Sequence, residues 1–348
     1  MYQKDRMIVR ARAPLRLGLA GGGTDVSPYC DQFGGCVLNA TISQYAYAML
    51  KSADYGFVRF TAADQGISVD LEPSNHFELD GALILHKAVY NEIVRLFNNE
   101  IGLPVEMVTY CDAPPGSGLG SSSTLVVAMI KAYLEFLNLS LDDYEIARLA
   151  FKIERIDCGL NGGRQDQYSA TFGGFNFMEF YHDYRAVINP LRIRSSIISE
   201  LEASFLLFYT GVSRKSAQII DDQTQNMKSG KIDIIESFHR MKGEAFQMKE
   251  AILKGDFKAI VESMRMGWES KKKTAESVSN NYIDDIYKAA MSSGARAGKV
   301  SGAGGGGFII FFVQPERRIS VINQLTDFDG QISNVHFTKS GAQAWKIL

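Results

Sequence analysis

The chain has almost no net charge, few cysteines and no long apolar run, and each of these absences excludes a class of protein. Among its 348 residues, 37 lysines and arginines stand against 39 aspartates and glutamates, which gives a formal net charge of −2. This balance removes the electrostatic reason to expect nucleic acid or an anionic membrane as a partner. The apolar runs are short, as at 309–313, so no segment is expected to span a bilayer. Residues 1–10 carry charges without an apolar stretch, so we expect no secretory signal.

The four cysteines and five histidines point to neither a disulfide framework nor a metal site. Four cysteines are too few to cross-link a chain of this length, and neither residue type shows the spacing of zinc ligands. We therefore expect a reducing cytoplasm as the compartment. The expected partner is a small molecule, and the sequence is compatible with a homodimer without requiring one.

The order of predicted elements indicates an α+β protein with two domains. The apolar content of 46% is enough for a substantial core, and the length favours two domains. The first half reads mainly as β-strands, whereas the apolar spacing from 214 to 293 is helical almost throughout. We place the boundary so that the N-terminal domain covers 1–195 and the C-terminal domain covers 196–348. The last strand is predicted near 333–338.

Glycine is the residue that stands out, because more than half of the 32 glycines fall in four short clusters. Glycine weakens regular elements, so a cluster marks a sharp turn or a place where another group approaches the backbone closely. Four clusters in one chain favour a site at which the backbone meets a ligand. They lie at 18–23, 116–120, 159–174 and 302–307.

The cluster within Pro114–Val127, PPGSGLGSSSTLVV, is typical of a phosphate-binding loop. A predicted strand leads into it, three alternate glycines follow, and three serines begin a predicted helix. The N-terminus of a helix presents unpaired N–H groups and a partial positive charge, which suit a phosphate. A plain turn with a serine cap would need only one glycine and one serine.

Two other glycine motifs for phosphate fit this loop less well. A P-loop requires a lysine after the glycines, and none follows here. A dinucleotide-binding loop requires a third glycine where the chain has Ser121, and a strand after the helix where a second helix is predicted. A dinucleotide-binding oxidoreductase therefore stays as the alternative from another class of enzyme.

Three segments resemble the motifs of the GHMP kinase superfamily, which includes galactokinase, homoserine kinase, mevalonate kinase and phosphomevalonate kinase. They are RAPLRLGLAGGGTD at 12–25, PPGSGLGSSS at 114–123 and KVSGAGGGGF at 299–308, in the order and at the separations usual for the family. The resemblance implies an N-terminal domain like domain 2 of ribosomal protein S5 and a ferredoxin-like C-terminal domain, with nucleotide and acceptor between them. Within the superfamily, LGLAGGGTD and GGRQDQYSATFGGFNFMEF are most similar to the D-glycero-D-manno-heptose 7-phosphate kinases.

That resemblance implies an ATP-dependent kinase for the anomeric C1 hydroxyl of heptose 7-phosphate, with the 1,7-bisphosphate as product, for nucleotide-activated heptose biosynthesis. The alternative within the superfamily is a kinase for a free sugar, similar to L-fucokinase. A nucleotide-binding module without activity is disfavoured, because such a module needs no base beside an acceptor pocket.

Phosphoryl transfer needs positioning, a metal ion, cations and a proton acceptor, and the resemblance assigns residues to each. Asp166 matches the family's catalytic base, and the alternative role for it is a helix cap. Arg16 matches the arginine that partners the base and would hold its charge there. Mg²⁺ prefers oxygen ligands, and we assign Ser122 and Glu154 to it, with Ser121 as the alternative serine.

The remaining assignments concern ATP and the sugar. Gly22 and Gly23 stand where galactokinase has Glu-His, which leaves room for a longer acceptor. The expected acceptor ligands are Gly22, Gly23, Thr24, Asp25, Gly304 and Gly305. The expected ATP ligands are Pro115, Gly116, Ser117, Gly118, Leu119, Gly120, Ser121, Ser122 and Ser123.

A substrate that carries its own phosphate needs a second basic site. Arg214 is favoured, because it follows a predicted strand end and lies near the start of a helix. The run Lys271–Lys273 is typical of a solvated helix face, although Lys271, Lys272 and Arg296 are the alternatives to Arg214.

Overall fold

The fold contains two β-sheets with helices packed on and between them. The computed structural model describes residues 8–53, 56–211 and 216–347, so the predicted phosphate ligand Arg214 lies outside the described residues. The strands are β1 (Ile8–Ala20), β2 (Gly35–Ser52), β3 (Val58–Ala62), β4 (Ile67–Leu71), β5 (Val105–Cys111), β6 (Phe175–Phe180), β7 (Ala186–Pro190), β8 (Phe205–Tyr209), β9 (Ala295–Val300), β10 (Phe308–Val313), β11 (Gln331–Asn334) and β12 (Gln343–Ile347).

Of the eleven helices in the described residues, five lie in the first half of the chain and six, including the longest, lie in the second half. A π-helical turn, Lys152–Asp157, continues the fourth helix, and no helix within the described ranges is both long and apolar enough to cross a membrane. The helices are α1 (Tyr29–Phe33), α2 (Ile84–Phe97), α3 (Ser121–Leu137), α4 (Asp143–Phe151), α5 (Gln165–Phe172), α6 (Ser195–Ser204), α7 (Ser216–Lys228), α8 (Ile232–Lys254), α9 (Phe257–Lys272), α10 (Asn281–Ser293) and α11 (Arg318–Leu325).

The two sheets differ in size and in topology. The first has the strand order β12-β1-β2-β5-β3-β4, with β6 paired to the start of β2 and β7 paired to β6. Its pairs are antiparallel except for β3 with β5. The second sheet is antiparallel throughout, in the order β11-β8-β10-β9.

Apolar clusters join these layers, and one of them connects the two halves of the chain. One face of the first sheet packs against α2 and α3. Leu15 and Leu17 of β1 are fully buried in a second cluster with residues of α8, α9 and β10. One face of the second sheet belongs to this second cluster, and its other face packs against α10 and α11. Because the second cluster is continuous, burial of its apolar surface holds the first motif close to the third.

The predicted α+β class is confirmed, and the predicted last strand is wrong. In place of a strand over 333–338, β11 ends at Asn334 and β12 pairs antiparallel with β1. That pairing joins the two ends of the described chain, as between Ile8 and Ile347, so no local pattern reveals it. The domain boundary at 195/196 stays a prediction, and we propose that β12 belongs with the N-terminal domain.

Candidate active site

A cleft of about 510 Å³ lies where the two halves of the chain meet. Its walls come from β1, from the loops that precede α3 and α5, and from α9. The lining includes Arg16, Gly23, Asp25, Pro115, Gly116, Gly118, Gly120, Ser121, Ser122, Ser123, Glu154, Gln165, Asp166, Lys271 and Gly302. The three glycine motifs therefore converge on one cleft.

The phosphate loop alternates between residues that line the cleft and residues that hold the loop in place. Gly116, Gly118 and Gly120 have φ angles of 74°, 80° and 79°, a left-handed conformation that glycine adopts without steric cost. Between them, Ser117 and Leu119 are fully buried. Their carbonyls accept N–H groups of the third and first motifs at 2.9 and 3.1 Å. The predicted ATP ligands Ser117 and Leu119 are therefore anchors of the loop.

Helix α3 begins at the cleft without a side-chain cap. Its N-cap residue is Gly120, and Ser121, Ser122 and Ser123 form the first turn. The first N–H groups of a helix have no acceptor within the helix, and the helix dipole adds positive potential there. This end of α3 can thus offer N–H donors and hydroxyls to a phosphate, and Pro115 lines the same cleft.

Glycines of the third motif allow the phosphate loop to pack directly against it. A Cβ on Gly307 would lie 2.3 Å from the Ser117 carbonyl oxygen, and a Cβ on Gly302 would lie 2.8 Å from Cα of Gly118. The Phe308 N–H donates to the Ser117 carbonyl at 2.9 Å. The third motif therefore fixes the shape of the phosphate loop through backbone contact.

Gly304 and Gly305, which were predicted to bind the acceptor, contact another part of the protein. The Gly305 N–H donates to the Val278 carbonyl at 2.8 Å, and a Cβ on Gly304 would lie 2.7 Å from the same oxygen. The Asn280 side chain donates to the Gly305 carbonyl at 3.2 Å. These contacts give both glycines a packing role, which the sequence alone does not distinguish from ligand binding.

Arg16 and Asp166 form an ion pair beside the phosphate loop. Arg16 Nε donates to Asp166 Oδ1 at 2.7 Å, and Nη1 donates to the Gly118 carbonyl at 2.6 Å. A register shift between Pro14 and Arg16 interrupts the pairing of β1 with β2, a feature that redirects side chains near active sites. Arg12, on the regular part of β1, donates to Gln343 at the surface instead.

Asp25 anchors the loop that carries Asp166. Asp25 is 1% exposed, and its Oδ2 accepts the N–H groups of Arg164 and Gln165 at 2.9 and 3.0 Å. Its Oδ1 accepts the Gly23 N–H at 3.1 Å. The carboxylate thus caps the start of α5, one residue before the predicted base. Sugar binding by Asp25 stays a prediction beside this positioning role.

The other first-motif residues divide between the loop interior and the cleft. Thr24 is fully buried, with its hydroxyl bonded to the Gly21 carbonyl at 2.8 Å and to the Cys36 N–H at 3.0 Å. Thr24 therefore ties the loop to β2 instead of facing a sugar. Gly23 lines the cleft, and a Cβ on Gly22 would meet only side-chain ends at 3.6 Å or more.

Glu154 is buried beneath the first turn of α3. The π-helical turn Lys152–Asp157, a feature often found at functional sites, carries it there. Its carboxylate accepts the Ser122 hydroxyl at 2.7 Å, the Ser123 hydroxyl at 2.5 Å and the Gln167 amide at 2.7 Å. The structure therefore brings the predicted metal pair together, with Ser123 instead of Ser121 as the second hydroxyl.

This oxygen-rich pair fits a magnesium ion. Mg²⁺ is commonly held by one or two protein oxygens, with waters and substrate phosphates as its other ligands. Among the described residues, no group of three or more His, Cys, Asp or Glu side chains could hold a metal on its own. Glu154 and Ser122 would therefore need phosphate oxygens to complete a magnesium site.

Two further cleft residues were missed or misplaced by the sequence analysis. Gln165 donates its amide to Asp25 Oδ1 at 3.3 Å, while its Oε1 is buried without a partner among the described residues. Lys271 is buried, and its ammonium donates to the Gly302 carbonyl. The spacing of Met264, Trp268 and Lys271 along one buried face of α9 was the available signal.

The environment of Lys271 disfavours its charge. Burial, together with the positive charges of Lys299 and Arg16, lowers the pKa of Lys271 to about 7. Lys299 is also buried, and this burial lowers its pKa to about 8. Lys271, which lines the cleft, is therefore only weakly favoured in its charged form by the groups around it.

Comparison with known proteins gives this arrangement a family. Residues 86–174 match the model of the GHMP kinases N terminal domain, and residues 248–329 match that of the GHMP kinases C terminal domain. A D-glycero-alpha-D-manno-heptose 7-phosphate kinase from Campylobacter jejuni is 46% identical over 339 residues, which cover 97% of this chain and 99% of the relative. The chain belongs to the GHMP kinases.

Solved GHMP kinases have the same fold. A D-glycero-D-manno-heptose 1-phosphate kinase from Bacteroides thetaiotaomicron superposes with a TM-score of 0.83 at 42% identity and covers 98% of this chain and 99% of its own. A galactokinase from Lactococcus lactis, complexed with galactose, superposes at 0.77 with 18% identity over 98% and 95% of the two chains, and supports the fold alone. GHMP kinases use ATP as phosphate donor, so the oxidoreductase alternative loses its support.

Proposed function

We propose that this GHMP kinase transfers the γ-phosphate of ATP to the anomeric C1 hydroxyl of D-glycero-D-manno-heptose 7-phosphate. The product would be the 1,7-bisphosphate, an intermediate for nucleotide-activated heptose. The observation that carries the reaction type is the 2.7 Å pair of Arg16 and Asp166 at the wall of the phosphate-loop cleft. The heptose phosphate is proposed from the relative that is 46% identical over nearly the whole chain.

The donor side of the cleft would bind ATP through the phosphate loop. The N–H groups at the start of α3 would face the phosphates, because anions are favoured at that end of a helix. Glu154 and Ser122 would hold Mg²⁺, which neutralises charge on the β- and γ-phosphates when it is bound. Their 2.7 Å hydrogen bond shows that the two oxygens lie close enough together to share one ion.

The acceptor side would place the sugar hydroxyl against Asp166. As the O1–P bond forms and the bond to ADP breaks, the hydroxyl proton passes to the Asp166 carboxylate. Arg16 orients that carboxylate through the Nε contact, while its Nη1 donates to the Gly118 carbonyl of the phosphate loop. Arg16 thereby fixes the base and the donor loop relative to each other.

Polar groups near Asp166 suit an acceptor with many hydroxyls. Gln165 Oε1 lacks a partner among the described residues, lies in the cleft wall and would accept a sugar hydroxyl. Gly22 and Gly23 leave space beside it. Arg214 stays the sequence-based proposal for the acceptor's own phosphate, outside the described residues.

The proposal is tested by an acceptor screen with Mg²⁺-ATP. ADP release is measured with heptose 7-phosphate, unphosphorylated heptose, L-fucose and galactose, and a reaction without acceptor serves as the control. We expect the highest kcat/KM with heptose 7-phosphate. A higher kcat/KM with L-fucose or another free sugar would favour the alternative of a free-sugar kinase. The cytoplasmic location remains a prediction from the sequence, which is compatible with a homodimer without requiring one.

A further inference from the structure

Lys271 occupies a place in the cleft that the proposed mechanism does not yet use. It lies in the last turn of α9, so it comes from the second half of the chain, and it lines the cleft opposite the first motif. Only 5% of the residue is exposed. Its ammonium donates to the Gly302 carbonyl, and Gly302 packs on Gly118 of the phosphate loop.

Asp25 and Asp166 are the carboxylates whose charges act favourably on this ammonium. Among the described residues Lys271 forms no ion pair, whereas Asp166 is paired with Arg16 at 2.7 Å. Asp25, the other nearby carboxylate, accepts backbone N–H groups at the start of α5. An enclosed cation without a carboxylate partner is costly. The position is stabilised if an anion enters the cleft.

The neighbouring elements do not remove this imbalance. From β9, Lys299 faces the same region, and its ammonium donates to the Leu19 carbonyl at 3.1 Å. From α8, Glu244 accepts the Ser270 hydroxyl at 3.0 Å, and its charge acts on Lys299. Arg16 from β1 adds another positive charge. The carboxylates of Asp166, Asp25 and Glu244 thus already contact other groups of the protein.

We propose that Lys271 binds a phosphate group of the bound reactants, as a cation that the C-terminal half contributes to the reaction site. This inference rests on the proposed kinase function and adds a residue to it. A lysine ammonium is a compact charge that suits a phosphate oxygen. The phosphate has two possible sources, the γ-phosphate of ATP and the phosphate that the acceptor already carries, and the same chemistry recognises both.

The lowered pKa of Lys271 gives this proposal a readout other than activity. With a pKa of about 7, most of the free protein carries a neutral Lys271 at pH 8. A phosphate dianion beside it favours the charged form, so binding is expected to take up as much as about 0.9 proton per site. A lysine with only a structural role would take up none.

The experiment is isothermal titration at pH 8 in two buffers that differ in ionisation enthalpy. The ligands are Mg²⁺-ATP alone, heptose 7-phosphate alone, and inorganic phosphate in the presence of Mg²⁺-ADP. Each is titrated into the wild-type protein, Lys271→Met and Lys271→Arg, after thermal melts confirm folding. Lys273→Met, an exposed neighbour at the end of the same helix, is the matched control.

We expect Lys271→Met to lose the proton uptake and to weaken binding about 10- to 150-fold for the ligand whose phosphate contacts Lys271. If affinity and proton uptake are lost with Mg²⁺-ATP, Lys271 binds the phosphate that is transferred. If they are lost with heptose 7-phosphate, Lys271 binds the phosphate that the acceptor already carries. Lys271→Arg should keep most of the affinity without proton uptake, and Lys273→Met should behave as wild type. Wild-type affinity and proton uptake of Lys271→Met with all three ligands would overturn the proposal.

The design separates this inference from the proposed substrate. If the wild-type protein does not bind heptose 7-phosphate, the proposed acceptor is wrong. The Mg²⁺-ATP and inorganic phosphate titrations still test Lys271 in that case, because neither depends on the identity of the sugar. No effect of Lys271→Met in those two titrations would then refute the role of Lys271.

Discussion

Replacement of Asp25 separates a positioning role from a sugar-binding role. The sequence predicts a sugar ligand, whereas in the structure Asp25 accepts the N–H groups of Gly23, Arg164 and Gln165 at 2.9 to 3.1 Å. Asp25→Ala leaves these three donors without their acceptor. Loss of a helix cap together with buried unpaired donors is expected to cost about 2 to 4 kcal/mol of unfolding free energy.

The same change should reduce turnover more than sugar affinity. Because Asp166 lies one residue after Gln165, release of the start of α5 moves the base, and a displacement near 1 Å can cost about 10²-fold in rate. We expect kcat for Asp25→Ala to fall by about 10- to 100-fold, while KM for the sugar changes by less than about threefold. Steady-state kinetics and urea unfolding measure both effects.

A second capping aspartate provides the control for stability alone. Asp142 caps α4, far from the cleft, where its side chain accepts the Glu145 N–H at 2.8 Å. Asp142→Ala should lose about 1 kcal/mol of unfolding free energy, less than Asp25→Ala, with unchanged kcat. An Asp25→Ala enzyme with normal kcat and a KM raised tenfold would refute the positioning role and make Asp25 a direct sugar ligand.

Four further changes test other parts of the site. Asp166→Asn should lower kcat by about 10²- to 10⁴-fold with little change in ATP affinity, and near-normal kcat would leave it no role as a base. Glu154→Gln should shift Mg²⁺ activation to higher concentration, and an unchanged activation curve would remove it as a metal ligand. Gly118→Val should lower both the melting temperature and the affinity for ATP. Residue 118 has a φ of 80°, and a Cβ there would lie 2.5 Å from a carbonyl oxygen of the third motif. A wild-type melting curve would contradict this prediction. Lys271→Met should stabilise the protein more at pH 7 than at pH 9. Since the Lys271 pKa is 10.5 when unfolded and about 7 when folded, the unfolded wild-type chain holds more protons and wild-type stability rises across this interval. Urea unfolding should show the difference between variant and wild type shrinking by roughly 2 kcal/mol, and a constant difference would contradict the lowered pKa.

The sequence predicted the parts of the site that depend on backbone shape. Alternate glycines followed by serines require a tight loop that leads into a helix, and the structure places Gly116, Gly118 and Gly120 at left-handed φ angles there. The GHMP resemblance also implied the pairing of Arg16 with Asp166, which the structure shows at 2.7 Å. These features depend on local conformation or on a sequence motif, so they can be predicted from one sequence.

Side-chain direction was the part that the sequence left open. Thr24 and Leu119 lie within motifs but point into the interior, because they form hydrogen bonds and apolar contacts with neighbouring strands and loops. Lys271 looked like a member of a solvated run, yet the turn of α9 directs it into the cleft. Pairing of β12 with β1 is equally non-local. Each outcome depends on what the rest of the chain places nearby.

The position of the new phosphate tests the central proposal most directly. The protein is incubated with Mg²⁺-ATP and heptose 7-phosphate, and the product is examined by phosphorus NMR with coupling to protons. We predict a second phosphate signal that couples to the anomeric proton, while the original phosphate at C7 remains. A new phosphate on any other hydroxyl, or ADP release without a phosphorylated sugar, would contradict the proposal.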